Sequence, residues 1–326
     1  MICCTIIGAG QIGSRHLQAL CHLKSPARID LVDPSDESLQ IARGRYEEAI
    51  PPDNQNIILC CHNNLNDLPD SLDLVIVATN SLAREKVTKE VITKRSVKNL
   101  ILEKILFQEN TQYAEVNNLL KKYSIPTWVN CWMRTADLFK CIKSDLNLNN
   151  LIQMKVEGPQ WGMGTNSVHF MDLFSYFSDC SDFRFVDTRL KSKVIDARRK
   201  GFKEFMGQLK GENSRGDSLD LICKDEEYGP CTIEVQNGPE KYLVSTDFAG
   251  HVELQSSNAL ANRIGKASLP YQSQLTHIWV NDILTKGSCD LPTYSDSMVL
   301  HLELIRVLSD HLQKTTGKGI DACPIT

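Results

Sequence analysis

GAGQIG, Gly8 to Gly13, decides how this 326-residue chain is read. It follows the apolar run ICCTII (2–7) and opens a segment with helical spacing, about Gln11 to Leu23. Three glycines in six residues are common in loops, so the spacing alone says little. A strand before, a helix after and an acid about twenty residues further on make it specific. Asp33 closes the next apolar run, RIDLV, and lies 20 residues beyond Gly13. Each glycine then has a task. Gly8 permits the tight turn, Gly10 lets the backbone approach a pyrophosphate, and Gly13 lets the helix pack closely on the strand. The helix start, with Gln11 and Ile12 in its first turn, turns its N–H groups and positive dipole end toward the phosphates. Asp33 is placed to accept hydrogen bonds from ribose hydroxyls and to repel a 2′-phosphate, which reads as NAD; NADP stays open where basic neighbours offset that charge.

Working outward, strand-length apolar runs alternate with helix-length segments over the first 130 residues. After RIDLV come a helix over about Glu37–Glu48, NIILC from Asn56, LDLVIVA from Leu72, a helix to Thr93, NLILE from Asn99, a helix to Tyr123 and TWVN from Thr127. This βαβα rhythm, with runs apolar throughout, predicts an α/β fold, a Rossmann doubly wound parallel sheet covered on both faces. Beyond Pro126 the pattern becomes LIQMKVEG, EFMGQLKG, SLDLICK, CTIEVQNG and KYLVSTDFAG. That succession predicts a C-terminal α+β domain with an open, mainly antiparallel sheet. The domains are thus 1–126, binding the dinucleotide, and 127–326, binding substrate. A last helix over about Ser295–Gln313 is free to pack back on the first domain.

Composition sets the outer limits. With 42% hydrophobic and 23% charged residues the chain is globular, and 326 residues suit two domains. Its net charge of -4 gives no general reason to bind nucleic acid or an anionic membrane, and Arg198, Arg199 and Lys200 read as a solvated turn. The 12 cysteines form no CxxC or Cys/His array, so no metal site is read and most are small buried hydrophobes. No leader-like segment or run of about 20 apolar residues is seen, which reads as cytoplasmic. An open sheet face in the second domain calls for cover, hence a homo-oligomer.

Two places carry chemistry. Glu103 and Lys104 end the strand NLILEK at the carboxyl edge, where open parallel sheets bind ligands. A lysine there can hydrogen-bond a substrate oxygen. In WGMGTNSVHFMDLFSYF (161–177), a helix starting near Asn166, as cap, puts Phe170, Leu173, Phe174 and Phe177 on an apolar stripe. Thr165, His169, Asp172 and Tyr176 share the next face, at spacings of four, three and four. One face packs while the other meets a ligand, with His169 as acid or base.

These pieces together resemble the glucose-fructose oxidoreductase / inositol dehydrogenase / rhizopine-catabolism (Gfo/Idh/MocA) family of NAD(P)-dependent oxidoreductases. GAGQIGSRH, ATNS (78–81), EK (103–104), NCWMR (130–134), VHFMD (168–172), LPTYSDS from Leu291 and the terminal CPIT fall in that family's order over essentially the whole chain. The resemblance implies a site between the two domains, with Ala78, Thr79, Asn80, Glu103 and Lys104 beside the cofactor. It implies that Lys104 and His169 serve the reaction and that Asp172 orients substrate. Arg134, Trp161, Thr165 and Asn166 are the further substrate-pocket candidates. Two positions depart from the family pattern. Ile105 stands where proline normally follows the lysine, and Thr165 stands where many members place an acid four residues before the histidine. The activity implied is hydride transfer between nicotinamide and a secondary hydroxyl or ketone of a sugar, cyclitol or nucleotide-linked sugar. The alternative is a catalytically silent dinucleotide-binding regulator or sensor.

Overall fold

The structure, a computed structural model, describes residues 1–51, 56–247 and 250–326. The chain forms two compact units: Met1–Phe107 with Thr111–Asn130 and Pro270–Tyr294, and Gln108–Asn110 with Cys131–Leu269 and Ser295–Thr326.

The first unit carries β1 (Ile2–Ile7), α1 (Gln11–Leu20), β2 (Ala27–Val32), α2 (Asp36–Ala49), β3 (Ile57–His62), β4 (Leu74–Val77), α3 (Ser81–Lys94), β5 (Leu100–Leu102), α4 (Asn110–Lys122) and β6 (Thr127–Val129). The sheet runs β3-β2-β1-β4-β5-β6 and every pairing is parallel. The order reverses direction between β1 and β4, the switch point at whose carboxyl ends ligands bind. Ile6, Ile29, Leu31, Ile76, Ile101 and Leu102 are fully buried, as strands covered on both faces must be. α1 ends at Leu20, three residues short of the expected Leu23, and the chain turns away at Cys21–His22. Helix Thr276–Lys286 completes this unit, and its Thr276 is packed against α1.

The second unit carries α5 (Asp137–Asp145), β7 (Ile152–Pro159), α6 (Met163–Ser178), β8 (Arg184–Leu190), β9 (Gly207–Glu212), β10 (Ser218–Lys224), β11 (Cys231–Asn237), β12 (Glu240–Thr246), β13 (Val252–Ser256) and α7 (Tyr294–Thr316), the last beginning in the other unit. Its sheet order is β8-β9-β10-β7-β11-β12-β13, antiparallel except for β10 with β7. Phe248 and Ala249, within the expected KYLVSTDFAG stretch (241–250), lie outside the described residues. Register sets Leu209, Leu221, Val156, Ile233 and Val244 in one row across five strands, all buried, and α6 packs on this sheet.

The opposite face differs from what the sequence suggested. Lys155 and Lys224 both pair with Glu157, Lys241 pairs with Glu234 at 2.9 Å, and Gln208 donates to Asp220 at 2.8 Å. Period-2 alternation thus leaves a largely polar face whose charges are matched in place. It is not the apolar surface on which the argument for a homo-oligomer rested.

All the cysteines are free thiols, and burial pushes those of Cys3, Cys21 and Cys223 up to about 11, so they serve as small hydrophobes. Arg198–Lys200 form an exposed bend and turn. Among the described residues no helix is long and apolar enough to cross a membrane.

Candidate functional site

The glycine loop has three different local needs. Gly8 sits at φ +102°, and a Cβ there would lie 2.9 Å from backbone atoms of Ala78 and Thr79, so the turns after β1 and β4 are pressed together. A Cβ on Gly13 would lie 1.7 Å from the Gly8 carbonyl oxygen, so α1 leaves the turn as closely as a backbone allows. At Gly10 nothing lies within 4 Å. The side chain missing there makes room for something other than protein. Gly10 caps α1 and no side chain closes the helix start, while Gln11 and Ile12 are exposed beside it. Thr79 Oγ1 is buried in the facing loop without a hydrogen-bond partner. Open cradle, uncapped helix start and orphaned hydroxyl fit a bound pyrophosphate.

Asp33 holds this turn from β2: Oδ2 accepts from Ala9 N at 2.7 Å and Oδ1 from Ser35 N at 2.9 Å. Each oxygen keeps a lone pair for a ribose hydroxyl. Ala78 N donates to Ile7 O at 2.8 Å, and the Asn80 side chain accepts from Ala83 N at 3.0 Å, capping α3. Asn80 thus fixes the loop through its side chain.

Glu103 plays a different part from the cofactor contact expected of it. Its carboxylate is turned inward, 5% exposed, hydrogen-bonded to His16 Nε2 at 2.8 Å and to the Asn130 amide. His16 Nδ1 meets Thr276 Oγ1 at 2.8 Å, and Asn130 donates to Gln272 Oε1 at 2.8 Å. Burial pushes the Glu103 carboxyl up, but His16, Asn130 and the charge of Arg84 outweigh it and hold it below the usual range.

Arg84 is the residue that sequence reasoning missed. Its guanidinium, 2% exposed, donates to the carbonyls of Thr79, Ile105 and Leu106, tying the loop after β4 to the loop that follows Lys104. Lys104 is half-buried at the start of this loop, and the Lys104–Ile105 peptide is cis.

In the second unit α6 starts at Met163, not at Asn166 as the sequence suggested. Gly162, in the left-handed region at φ +79°, is its cap residue, and Asn166 Nδ2 donates back to Trp161 O at 2.7 Å. The N-terminal acceptor comes instead from Glu204, in the short strand Lys203–Glu204: Oε2 takes Gly164 N at 2.6 Å and Oε1 takes Thr165 N at 3.1 Å. Trp161 belongs to the packing. It is 8% exposed, its indole N–H donates to Ile222 O at 2.8 Å and its ring stands edge-on to Phe170.

The polar face is assembled as the spacing requires. His169 is buried and lies edge-on to Trp132 at 6.2 Å between centroids. Asp172 is 1% exposed, its Oδ2 accepts from Arg134 Nε at 2.8 Å, and its Oδ1 is buried without a hydrogen-bond partner. Arg134 also lies over the Tyr176 ring. Burial pushes the Asp172 carboxyl up to about 7; Arg134 opposes this and Asp296 adds to it. A carboxyl raised in this way holds its proton more tightly folded than unfolded. The contribution of this one group to stability is therefore greatest below about pH 4 and is lost as pH climbs through about 7. Asp172→Asn is expected to remove this slope, worth up to about 4 kcal/mol, from a series of denaturant titrations across that range.

Residues 2–131 match the family model described as oxidoreductase family, NAD-binding Rossmann fold (GFO_IDH_MocA). The match covers the parallel-sheet part of the chain and is to a Gfo/Idh/MocA NAD-binding domain. No curated protein sequence matches significantly. Among solved structures, the WlbA dehydrogenase of Bordetella pertussis with NADH and UDP-GlcNAcA aligns with TM-score 0.72 at 12% identity, covering 96% of each chain. An oxidoreductase from Agrobacterium radiobacter with NAD+, L-tartaric acid and magnesium gives 0.66 at 13%, covering 98% of each. Gal80p of Saccharomyces cerevisiae, as a super-repressor mutant, gives 0.67 at 14%, covering 96% of this chain and 97% of its own. These likenesses show a common fold. Of the two departures from the Gfo/Idh/MocA pattern, Ile105 is fully buried with its carbonyl held by Arg84, and Thr165 is hydrogen-bonded to Glu204. Among the described residues no three His, Cys, Asp or Glu side chains are grouped to hold a metal.

Proposed function

We propose that the chain is an NAD-dependent dehydrogenase that oxidises a secondary hydroxyl, reversibly, on a sugar, cyclitol or nucleotide-linked sugar. The observation that carries the cofactor half is the open Gly10 cradle before an uncapped helix in an NAD-binding family domain. When bound, the nicotinamide supplies hydride acceptance. Gly8, Gly10 and Gly13 with the start of α1 hold the pyrophosphate, and Asp33 holds the ribose. Lys104, at the carboxyl end of β5, hydrogen-bonds the substrate oxygen and stabilises it as alkoxide character develops. His169 takes the hydroxyl proton, and Arg134 holds Asp172 to orient the neighbouring hydroxyls. Solved structures of the fold that carry NADH with UDP-GlcNAcA support a sugar-like substrate.

The test is a panel of free, cyclitol and nucleotide-linked sugars incubated with NAD and with NADP, followed by nicotinamide absorbance. Reduction with at least one sugar, faster with NAD, is the expected result. Tight NAD binding with no turnover on any of them would replace the dehydrogenase by a dinucleotide-binding regulator on the same scaffold.

A further inference from the structure

Glu204 makes one bond more than a helix cap requires. Its carboxylate satisfies the N–H groups of Gly164 and Thr165, and Oε1 also accepts the Thr165 hydroxyl proton. Side chains at positions 162 and 164 would crowd it: a Cβ on Gly162 would lie 3.3 Å from Oε1, and one on Gly164 3.1 Å from Oε2. The two glycines of WGMG thus leave the space that a carboxylate from 40 residues further along the chain enters. Lys203, beside it, is paired with Asp196 at 2.6 Å.

A hydroxyl has one proton to give. With that proton committed to Glu204, Thr165 meets the rest of its face only as an acceptor, and the charge-assisted bond strengthens its oxygen in that role. Thr165 stands one helical turn before His169 on the same face of α6. We propose that Glu204 is the positioning carboxylate of this site, delivering negative charge to the His169 side of α6 through Thr165. The proposal rests on the reading of His169 as proton acceptor, and it gives Thr165 a part on that face although a hydroxyl carries no charge of its own.

Other charged and titratable groups packed on that helix include Asp172 and Tyr176 on α6 itself, Arg134 from the turn before α5, Lys143 of α5, which donates to Phe177 O and pairs with Asp179 at the far end of the helix, and Cys223 on β10, whose thiol burial pushes up to about 11. Asp296 at the start of α7 acts on Asp172. The α6-facing positions of β7, Ile152, Met154 and Val156, are apolar. Glu204, unlike these groups, is bonded directly to the turn before His169, at Gly164 and Thr165.

The experiment is a ring-resolved NMR titration of histidine in the full chain, with His169 assigned by its loss in His169→Asn. Glu204→Gln keeps an oxygen for Gly164 N and removes the charge. His169 is expected to titrate about half a pKa unit or more lower in this variant. Thr165→Val, which keeps the capping carboxylate, is expected to lower it as well, and the double variant no further than the larger single change. A His169 midpoint unchanged in a natively melting Glu204→Gln would overturn the proposal. If Glu204→Gln does not fold, an unchanged midpoint in Thr165→Val overturns it equally. No cofactor or substrate enters the titration, so its outcome is independent of whether any sugar is oxidised.

Discussion

Lys104→Met is expected to lower turnover on a productive sugar by on the order of a hundredfold or more, with NAD affinity unchanged. The two halves of this result have separate causes. Lys104 begins a loop whose next two carbonyls are held by Arg84, so the backbone is fixed by a neighbour and not by the lysine itself. Methionine is of similar length, and it keeps the loop while removing the ammonium proposed to donate to the developing alkoxide. The glycine turn, Asp33 and the start of α1 are untouched, so the dinucleotide binds as before. Steady-state kinetics beside calorimetric NAD binding separates the terms. Equal turnover in the variant would take Lys104 out of the chemistry, and a parallel fall in NAD affinity would recast it as a cofactor ligand.

The second large effect divides two glycines that look alike in sequence. Gly13→Ala is expected to cost about 3 kcal/mol of stability, because its methyl would lie 1.7 Å from a carbonyl that is itself pinned in the turn. Gly10→Ala is expected to melt like the parent, since nothing lies within 4 Å and its φ of -66° suits any residue. It should nevertheless weaken NAD at least tenfold, because the methyl occupies the room the pyrophosphate needs. Thermal melts and NAD titrations on the two variants test this. A Gly10→Ala protein with full affinity would show that the phosphates lie elsewhere.

The parts of this molecule that were legible before its structure are those set by local repetition. The strands of the first sheet announce themselves as apolar runs of fixed length, and the face shared by Thr165, His169, Asp172 and Tyr176 follows from helical spacing. What was hidden depends on partners far along the chain. α6 starts at Met163 because its cap, Glu204, arrives from another strand, so Asn166, a good capping residue by type, misplaced the boundary. Arg84 reads as an ordinary exposed helix cation, and its role rests on backbone carbonyls that carry no residue signature. Trp161 has the type of a pocket-lining aromatic, yet the carbonyl that claims its N–H belongs to residue 222. Nothing periodic marks residues 270–294 as partners of the first sheet.

That last feature bears on how the chain is made. Gln272 and Thr276 complete the buried hydrogen bonds of Asn130 and His16, and through them that of Glu103. A ribosome that has released the first 130 residues has therefore delivered the whole parallel sheet and Glu103 with its two direct partners, but not the groups that complete the bonds of those partners, and a buried polar network left partly satisfied is costly. The nucleotide-binding half reaches its final form only after most of the polypeptide has emerged, and a gene fragment cut at residue 130 would encode a sheet waiting for its last side chains.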